Sequence, residues 1–340
     1  METPRRRRRL TLGSAVAGLL ALSLWWWWFP APREPGFRHV ATWGEASGPG
    51  ALEGPIGVAL LADEVFVSDA AAHRIVVYDR DGRLRRSFGE HGEEPGQLAR
   101  PMHLAAHGGR LYVAEYLNDR IQVFSPSGES LATVGASGDG RGELDAPGGV
   151  AVDAAGRLWV ADFYNQRVQQ LDPRGGFVRQ LGSGKGRRPG RFNYPTDVAL
   201  LASGTVVVAD AYNDRIQLFD PASGDVVERW GGPLAVGLAG PFPGWFRVAT
   251  GVGVGPKGAI FVADFYNHRI QKWTAKGRFL VAFGAAGSGP GQLDRPTDVA
   301  VAEDGRVFVA DFGNGRVQVF RQESRPGEGR AEPSSGGDGG

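Results

Sequence analysis

Short apolar runs rich in β-branched residues alternate with turns rich in glycine, proline and aspartate along most of the chain. Four such runs make one cycle, as in the cycle that contains LWVA at 158–161 and VQQL at 168–171. Runs of this length and composition, bounded by turn residues, predict β-strands. No segment within the cycles has apolar residues at the 3.6-residue spacing of a helix, so we predict four antiparallel strands per cycle.

One motif joins the second predicted strand of each cycle to the third: an acid, two residues, usually Asn, one further residue, and Arg. The six arginines are spaced 46, 47, 48, 54 and 47 residues apart. A fixed period of about 40–50 residues with four strands in each repeat predicts a β-propeller. The six copies occupy residues 69–74, 115–120, 162–167, 210–215, 264–269 and 311–316.

The two ends of the repeat region complement each other. The last cycle stops at Phe320 without its outermost strand, and a spare strand, FRHVATWG at 37–44, precedes the first cycle. Pairing the spare strand with the last cycle would remove an exposed sheet edge. We therefore predict an all-β, six-bladed propeller of four-stranded antiparallel blades over residues 37–320, in which the N-terminal strand completes the last blade.

The N-terminal segment predicts a membrane anchor. Five arginines at 5–9 precede residues 10–29, which contain no charge and end in four tryptophans and a phenylalanine. Twenty apolar residues span a bilayer, and the positive flank stays in the cytoplasm. Pro30 and Pro32 follow in place of a cleavage site, which favours an uncleaved signal anchor. The propeller is then extracytoplasmic, in the periplasm or at the cell surface.

The remaining segments are short. Residues 1–9 form the basic cytoplasmic flank, and residues 30–36 form a tether between the anchor and the propeller. Residues 321–340 are polar and glycine-rich, and we expect them to be disordered.

Composition narrows the functional classes. The chain has no cysteine, which excludes disulfides, thiolate metal sites and a cysteine nucleophile. The formal net charge of the chain is +1. Residues 1–36 carry +4 and residues 321–340 carry −1, so residues 37–320 carry −2. A propeller without excess positive charge lacks the main source of affinity for nucleic acid, so we expect no nucleic-acid partner.

These cycles resemble the NHL-repeat family of six-bladed propellers. Two departures occur. Ala72 replaces the usual Asn in the first motif, and Ala249 replaces the Pro that in the other cycles precedes the first strand, which is the inner strand of a blade. The resemblance implies a sensor or scaffold that binds a partner on one face. Some proteins with this fold are lyases that hold zinc with three histidines, a pattern that this sequence matches poorly.

The repeated acid and arginine have a structural interpretation. Six near-identical copies cannot all form one active site. A carboxylate at the end of a strand accepts backbone N–H groups, Asn tolerates left-handed backbone, and Arg forms a bidentate salt bridge. Functional residues are therefore expected where the repeats differ.

One such difference lies at the start of the inner strands. The position before the first inner-strand Val or Leu is polar in blades 2, 4 and 6, as His103, Asp197 and Asp298, and glycine in blades 1, 3 and 5. A ring of these three side chains at the channel mouth could bind a divalent cation or orient a polar ligand. The alternative is that they are channel-lining residues bonded to water or neighbouring backbone.

Aromatic residues in the motif turns predict a recognition surface on the same face as this ring. We select Tyr164, Tyr212 and Tyr266, together with Phe242 and Trp245 from the loop at 231–250, whose extra length explains the 54-residue spacing. Long loops in compact domains are usually functional. This loop is therefore predicted to be a lid or a partner contact, or alternatively a plug that folds onto its own blade.

The function predicted from these patterns is a membrane-anchored, extracytoplasmic binding, scaffold or sensor module that recognises a protein, peptide or glycan. The alternative is a metal-dependent lyase or hydrolase with its site at the channel mouth. No Gly-x-Ser-x-Gly or His-Glu-x-x-His motif supports a hydrolase, and no catalytic residue is assigned. A divalent metal on the propeller axis is the one cofactor considered.

Overall fold

A computed structural model describes residues 32–45, 48 and 50–324. The predicted basic flank and anchor at 1–29, and most of the predicted disordered tail, lie outside the described residues. Among the residues that are described, none of the helices has both the length and the hydropathy that a membrane span requires.

The described chain forms six four-stranded antiparallel sheets, as predicted. Strand β1 (Phe37–Trp43) comes first and belongs to the last sheet. Blade 1 consists of β2 (Pro55–Leu61), β3 (Glu64–Asp69), β4 (Arg74–Asp79) and β5 (Leu84–Phe88). Blade 2 consists of β6 (Pro101–His107), β7 (Arg110–Glu115), β8 (Arg120–Phe124) and β9 (Ser130–Val134). Blade 3 consists of β10 (Pro147–Val152), β11 (Leu158–Asp162), β12 (Arg167–Leu171) and β13 (Phe177–Leu181).

The second half of the chain continues the pattern. Blade 4 consists of β14 (Pro195–Leu200), β15 (Val206–Asp210), β16 (Arg215–Phe219) and β17 (Val226–Trp230). Blade 5 consists of β18 (Ala249–Val254), β19 (Ile260–Asp264), β20 (Arg269–Trp273) and β21 (Phe279–Phe283). Blade 6 consists of β22 (Pro296–Val301), β23 (Arg306–Asp311), β24 (Arg316–Gln322) and, beside β24, strand β1. Short 3₁₀ turns occur at Ala211–Asn213, Pro233–Ala235, Pro256–Gly258, Phe265–Asn267 and Phe312–Asn314.

Both ends of the predicted propeller pair with each other. Strand β1 is antiparallel to β24, with Phe37 opposite Gln322 and Trp43 opposite Val317. Strand β24 therefore continues two residues beyond the predicted end of the propeller at Phe320. Blade 6 also contacts blade 1, since the backbone N–H of Val58 donates to Asp298 Oδ2 over 2.9 Å.

The core consists of layers between neighbouring blades. The second strands are buried apart from the first residue of β3, β7 and β23, because each blade is covered on both faces. In β15 this burial produces the continuous run VVVAD. One such layer combines Ile216 and Trp230 of blade 4 with Val252 and Trp273 of blade 5. Most outer strands, such as β9, are largely exposed and more polar, whereas β21 is apolar and mostly buried. Burial on both faces explains why these second strands are continuous apolar runs, without the alternation of apolar and polar residues that a half-exposed strand shows.

The strand directions define two faces. The inner strands begin on the face where the motif turns lie, and we call this face the motif-turn face. The inner strands end on the opposite face, which we call the exit face. Strand β1 begins and β24 ends at the exit face. The described part of the predicted tether is bonded to the propeller there, with Arg33 N–H donating to Leu280 O (2.6 Å) and Lys272 contacting Glu34 (2.5 Å). The chain therefore enters the propeller from the exit face.

Candidate functional site

The repeated acid and arginine form structural networks, which confirms their structural interpretation. In blade 4, Asp210 accepts hydrogen bonds from Asn193 N (2.7 Å), Asn213 Nδ2 (2.9 Å), Arg215 Nε (2.7 Å) and Gln217 Nε2 (3.0 Å). Burial raises the pKa of Asp210 above its ordinary value, and these donors, led by the Arg215 charge, only partly oppose that increase. The network ties the motif turn of blade 4 to the loop that precedes the inner strand of the same blade, which we call the entry loop.

Two details of the motif differ from the prediction. Left-handed backbone falls on the residue after the Asn, such as Asp214 (φ 48°), because the Asn amide is used to donate to the acid and to a loop carbonyl. A glutamine two residues after the Arg also joins each network in blades 2–6. The repetition of this glutamine two residues after the Arg is visible in the sequence and could have identified it as a member of the network. These glutamines are Gln122, Gln169, Gln217, Gln271 and Gln318.

The residue with left-handed backbone links neighbouring blades. Asp214 Oδ1 accepts the backbone N–H of Val248 (2.7 Å), and His268 Nδ1 accepts that of Arg295 (3.2 Å). His73 Nδ1 accepts the backbone N–H of Arg100 in the same way (3.1 Å). These two histidines therefore have a structural use at blade junctions.

The three polar residues predicted to share the propeller axis lie together. Ligand atoms of His103, Asp197 and Asp298 all lie within 4.8 Å of one another, and all three side chains are buried. His103 Nδ1 is 3.4 Å from Asp298 Oδ2 and 3.7 Å from Asp197 Oδ2. We call this group the axial triad.

The alternation between polar residues and glycine at this level has a steric cause. A Cβ atom at Gly149 would lie 2.3 Å from Asp197 Oδ1, and one at Gly251 would lie 2.7 Å from Asp298 Oδ1. A Cβ atom at Gly57 would lie 2.8 Å from the Cα atom of His103. The axis therefore has room for side chains from every second blade, and glycine in blades 1, 3 and 5 provides that room.

Burial and mutual proximity shift the ionisation of the axial triad. Burial alone lowers the pKa of His103, but the charges of Asp197 and Asp298 outweigh it and raise the pKa to about 9. Burial also raises the pKa of Asp197 to about 7, with a further contribution from Asp298, although His103 opposes it. In the absence of a cation, His103 is thus an imidazolium held between two carboxyl groups at neutral pH.

The axial triad does not lie at a channel mouth on the motif-turn face, which corrects the predicted position. A cavity of about 290 Å³ is lined by Asp197 and Asp298 at one end and then by inner-strand residues as far as Leu200 and Val301. These strands run towards the exit face. The axial triad and the aromatic residues of the motif turns are therefore not parts of one pocket, because the axial triad is buried and its cavity extends in the other direction.

Four exposed apolar side chains occupy the same position in the motif turns of four successive blades. The corresponding residues in blades 6 and 1 are small, Gly313 and Ala71. The exposed surface is thus an arc over part of the ring, which we call the apolar arc. Its members are Leu117 (57% exposed), Tyr164 (50%), Tyr212 (53%) and Tyr266 (49%).

Neighbouring rings connect members of the apolar arc. Tyr116 Oη lies 2.9 Å from Tyr164 Oη. Tyr194 packs between Phe163, with ring centroids 4.8 Å apart, and Tyr212, with centroids 5.3 Å apart. Tyr194 was not predicted from the sequence, because the residue before the inner-strand proline varies from blade to blade and carries no repeated signal.

Cations stack on several rings of this face. A guanidinium or ammonium group within about 6 Å of a ring is attracted to its π-electrons and keeps the ring in place. Three such pairs are Arg100 over Tyr116 (5.2 Å), Lys185 over Tyr194 (4.7 Å) and Arg247 over Tyr266 (5.7 Å).

The long loop at 231–250 folds onto its own blade and onto blade 4. Arg269 Nη2 donates to the carbonyls of Phe242 (2.7 Å) and Trp245 (2.9 Å), and Arg215 Nη1 contacts Ala235 O (3.4 Å). The ring of Phe242 is exposed and packs edge-on against the half-buried Trp245, with centroids 5.4 Å apart. The loop backbone is therefore held on blades 4 and 5, as the plug alternative predicts, and the Phe242 ring remains exposed. A role of the loop as a lid or partner contact stays a prediction.

Comparisons with known proteins support the fold. The NHL repeat model matches residues 144–171, 192–219, 246–273 and 293–320, which lie in blades 3–6. The search of curated proteins gave no match.

Solved structures match along nearly their whole length. A streptogramin B lyase is 18% identical, with a TM-score of 0.57, over 84% of this chain and 98% of that chain. A catalytically inactive virginiamycin B lyase from Staphylococcus aureus with quinupristin is 15% identical, with a TM-score of 0.56, over 84% and 100%. The WD40 β-propeller domain of Doa1 is 12% identical, with a TM-score of 0.60, over 85% and 98%.

At these identities the solved structures indicate a shared fold. The NHL matches include the motif, the inner strand and the buried glutamine in each of the four blades. Together with the six observed sheets, they show that this chain is an NHL-repeat six-bladed β-propeller.

Proposed function

We propose that this protein is a membrane-anchored, extracytoplasmic binding module that recognises a protein, peptide or glycan through its motif-turn face. The observation that carries this proposal is the apolar arc. Exposed apolar side chains repeat at one turn position in four successive blades, whereas the same position in blades 6 and 1 has Gly313 and Ala71. Single exposed apolar residues are common at protein surfaces, whereas several on one face of a domain favour an interaction site.

The chemistry of the apolar arc favours a partner with apolar anchors and acidic groups. Tyrosine supplies contact area at low entropic cost because its ring has two rotatable bonds. Arg100, Lys185 and Arg247 lie over rings of this face and supply positive charge beside the apolar surface. The exposed Phe242 ring extends the surface towards the long loop. An acidic peptide segment with aromatic or aliphatic anchors therefore matches this face best.

The position of the termini supports an outward-facing binding surface. Arg33 and Glu34 are bonded to the exit face, and the predicted anchor at 10–29 precedes them by a few residues. An anchor attached at the exit face would direct the motif-turn face away from the membrane. The apolar arc would then be accessible to a partner in the extracytoplasmic space.

Photocrosslinking in cells that make the full-length chain tests the proposal. A photoreactive residue is placed in turn at 117, 164, 212 and 266, and at 131 and 178 as controls. The controls are Leu131 and Val178, which are exposed apolar residues on outer strands. We expect the same crosslinked partner from the four arc positions and none from the two controls. Equal crosslinking at all six positions, or none at any, would contradict the proposed surface.

Localisation needs a separate measurement. Protease added to intact spheroplasts should digest the propeller if it is extracytoplasmic, and digestion only after lysis would place it on the cytoplasmic side. A cytoplasmic control protein reports whether the spheroplasts stayed intact.

The enzymatic alternative, a metal-dependent lyase or hydrolase, has one supporting observation, the axial triad. Its site would be the buried axis and its cavity towards the exit face, not the apolar arc. A screen for lyase and hydrolase activity with and without a chelator distinguishes this alternative from a binding module.

A further inference from the structure

The atoms of the axial triad are spaced as ligands around a cation are spaced. His103 Nδ1 lies 3.4 Å from Asp298 Oδ2 and 3.7 Å from Asp197 Oδ2. Charge-assisted hydrogen bonds between such groups are about 2.7–2.9 Å long. Two ligands bonded to zinc at about 2.0–2.2 Å and at a tetrahedral angle are about 3.3–3.6 Å apart. The observed separations are closer to the distance between two zinc ligands than to the length of a charge-assisted hydrogen bond.

A buried polar atom at the same place lacks a partner. His103 is 3% exposed, and its Nδ1 atom has no hydrogen-bond partner among the described residues. Buried polar groups in folded proteins nearly always have one. An orphan nitrogen that faces two carboxylate oxygens is therefore an independent sign that a further atom belongs between them.

Backbone groups hold the two carboxylates in position. Val58 N–H donates to Asp298 Oδ2 (2.9 Å), Val299 N–H to Asp298 Oδ1 (2.8 Å), and Val252 N–H to Asp197 Oδ2 (2.9 Å). Each carboxylate oxygen can accept more than one interaction, so these contacts leave lone pairs for a cation. Outer hydrogen bonds of this kind orient the ligands of metal sites.

We propose that His103, Asp197 and Asp298 bind one divalent transition-metal ion on the propeller axis, with zinc as the preferred ion. One imidazole and two carboxylates are suitable ligands for zinc, and three protein ligands leave one position for water or a small ligand. Two carboxylates and a neutral imidazole also balance a 2+ charge within the buried site. Calcium is disfavoured because it takes six to eight oxygen ligands.

The fold provides space for this ion. Glycine at 57, 149 and 251 leaves the axis free for the three ligand side chains. The cavity of about 290 Å³ is lined by Asp197 and Asp298 and by the inner strands as far as Leu200 and Val301, so free volume adjoins two of the three ligands. The site is separate from the apolar arc, and its failure would leave the proposed binding function untouched.

Metal titration of the full-length chain, purified without a polyhistidine tag, tests the proposal. After treatment with a chelator and its removal, Zn²⁺, Mn²⁺ or Ca²⁺ is added, and uptake is measured by elemental analysis and calorimetry. We expect one zinc per chain, with calcium bound far more weakly. Cobalt substitution supplies a second readout, because tetrahedral Co²⁺ absorbs strongly in the visible range.

Three ligand variants and one control complete the experiment. Asp197→Asn, Asp298→Asn and His103→Gln should each weaken zinc binding about 100-fold or more. His107→Gln is the matched control, since His107 lies on the same strand, four residues from His103. It should bind zinc as the wild type does.

Two results would overturn the proposal. One is the absence of stoichiometric zinc uptake by the wild-type chain, and the other is unchanged uptake in folded Asp197→Asn and Asp298→Asn variants. Circular dichroism establishes folding. If the ligand variants do not fold, the zinc stoichiometry and the Co²⁺ absorption spectrum of the wild-type chain test the site. A spectrum typical of octahedral or free Co²⁺ would reject the proposed tetrahedral site.

Discussion

The motif networks and the axial triad both bury charged side chains, but they differ in how completely those charges are satisfied. In blade 4, the Arg215 guanidinium donates to Asp210 and to four loop carbonyls, those of Arg187, Arg188, Arg191 and Ala235. In the axial triad, His103 Nδ1 faces two carboxylates at distances beyond a normal hydrogen bond. The pairing of the Arg215 and Asp210 charges indicates a structural role, whereas the charged atoms of the axial triad are separated by the distances expected around a further ligand.

The motif networks and the axial triad also differ in how often they occur. The motif network occurs in every blade, and its purpose is to hold an entry loop on a turn. The axial triad occurs once, is assembled from three blades, and depends on glycine in the other three.

Removing the arginine from a fully buried network should have the largest effect on stability. Arg215→Met leaves the buried Asp210 carboxylate without its partner, so we expect a loss of about 3–5 kcal/mol in the free energy of unfolding. Arg74→Met in blade 1 is the comparison, since the Arg74 side chain is 25% exposed and water can reach the site. Its loss should be smaller. Urea denaturation followed by circular dichroism measures both, and equal losses would show that burial does not govern the effect.

Adding a methyl group beside the axial triad should be the next largest effect. Gly149→Ala places a Cβ atom 2.3 Å from Asp197 Oδ1, and the crowding should cost about 1–3 kcal/mol. Gly36→Ala is the control, because its Cβ would meet only Glu323 Oε2 at 3.6 Å. Thermal unfolding in the presence of a chelator measures both variants. An unchanged Gly149→Ala variant would mean that the axis has more room than the glycine pattern indicates.

The stability of the cation-free protein should depend on the protonation of His103. The folded-state pKa of His103 is raised to about 9, so its stabilising contribution is complete below the unfolded-state pKa of about 6.5 and is lost as the pH rises through 9. We expect the free energy of unfolding to fall by about 2 kcal/mol between pH 7 and 9.5.

His103→Gln is the reference for this pH dependence, because glutamine does not titrate. Its stability should vary less over the same range in matched denaturation curves. A wild-type curve as flat as that of His103→Gln would show that the imidazole is neutral between the two carboxyl groups.

Substitutions in the apolar arc should have the smallest effect on stability. Tyr212→Ser and Tyr266→Ser remove half-exposed rings at the surface, and such changes usually alter stability by at most about 0.5 kcal/mol. The same variants should lose the crosslinked partner. A loss well above 1 kcal/mol in thermal unfolding would instead assign these rings to blade packing.

Several features of the site followed from particular residues in the sequence. The recurrence of acid and arginine with strand runs on both sides predicted the blade count and the structural role of the motif. His103, Asp197 and Asp298 were selected because they replace glycine in alternate blades, and the structure brings them together. Tyr194 was not selected, because the residue before the inner-strand proline varies from blade to blade. The junction residues, such as Asp214, were not selected, because their side chains vary among His, Asp and Gln. Their bond to the chain before the next inner strand nevertheless recurs 27 or 28 residues away in four of five cases.

The sequence by itself determined the architecture of this protein, because a period of about 47 residues with four strand signals permits few other folds. Only the tertiary structure decided that the axial triad is buried, that its cavity extends towards the exit face, and that the apolar arc lies apart from it. The physical reason is that strand patterns are local, whereas the radius of the axis and the direction of a cavity depend on how six sheets pack against one another.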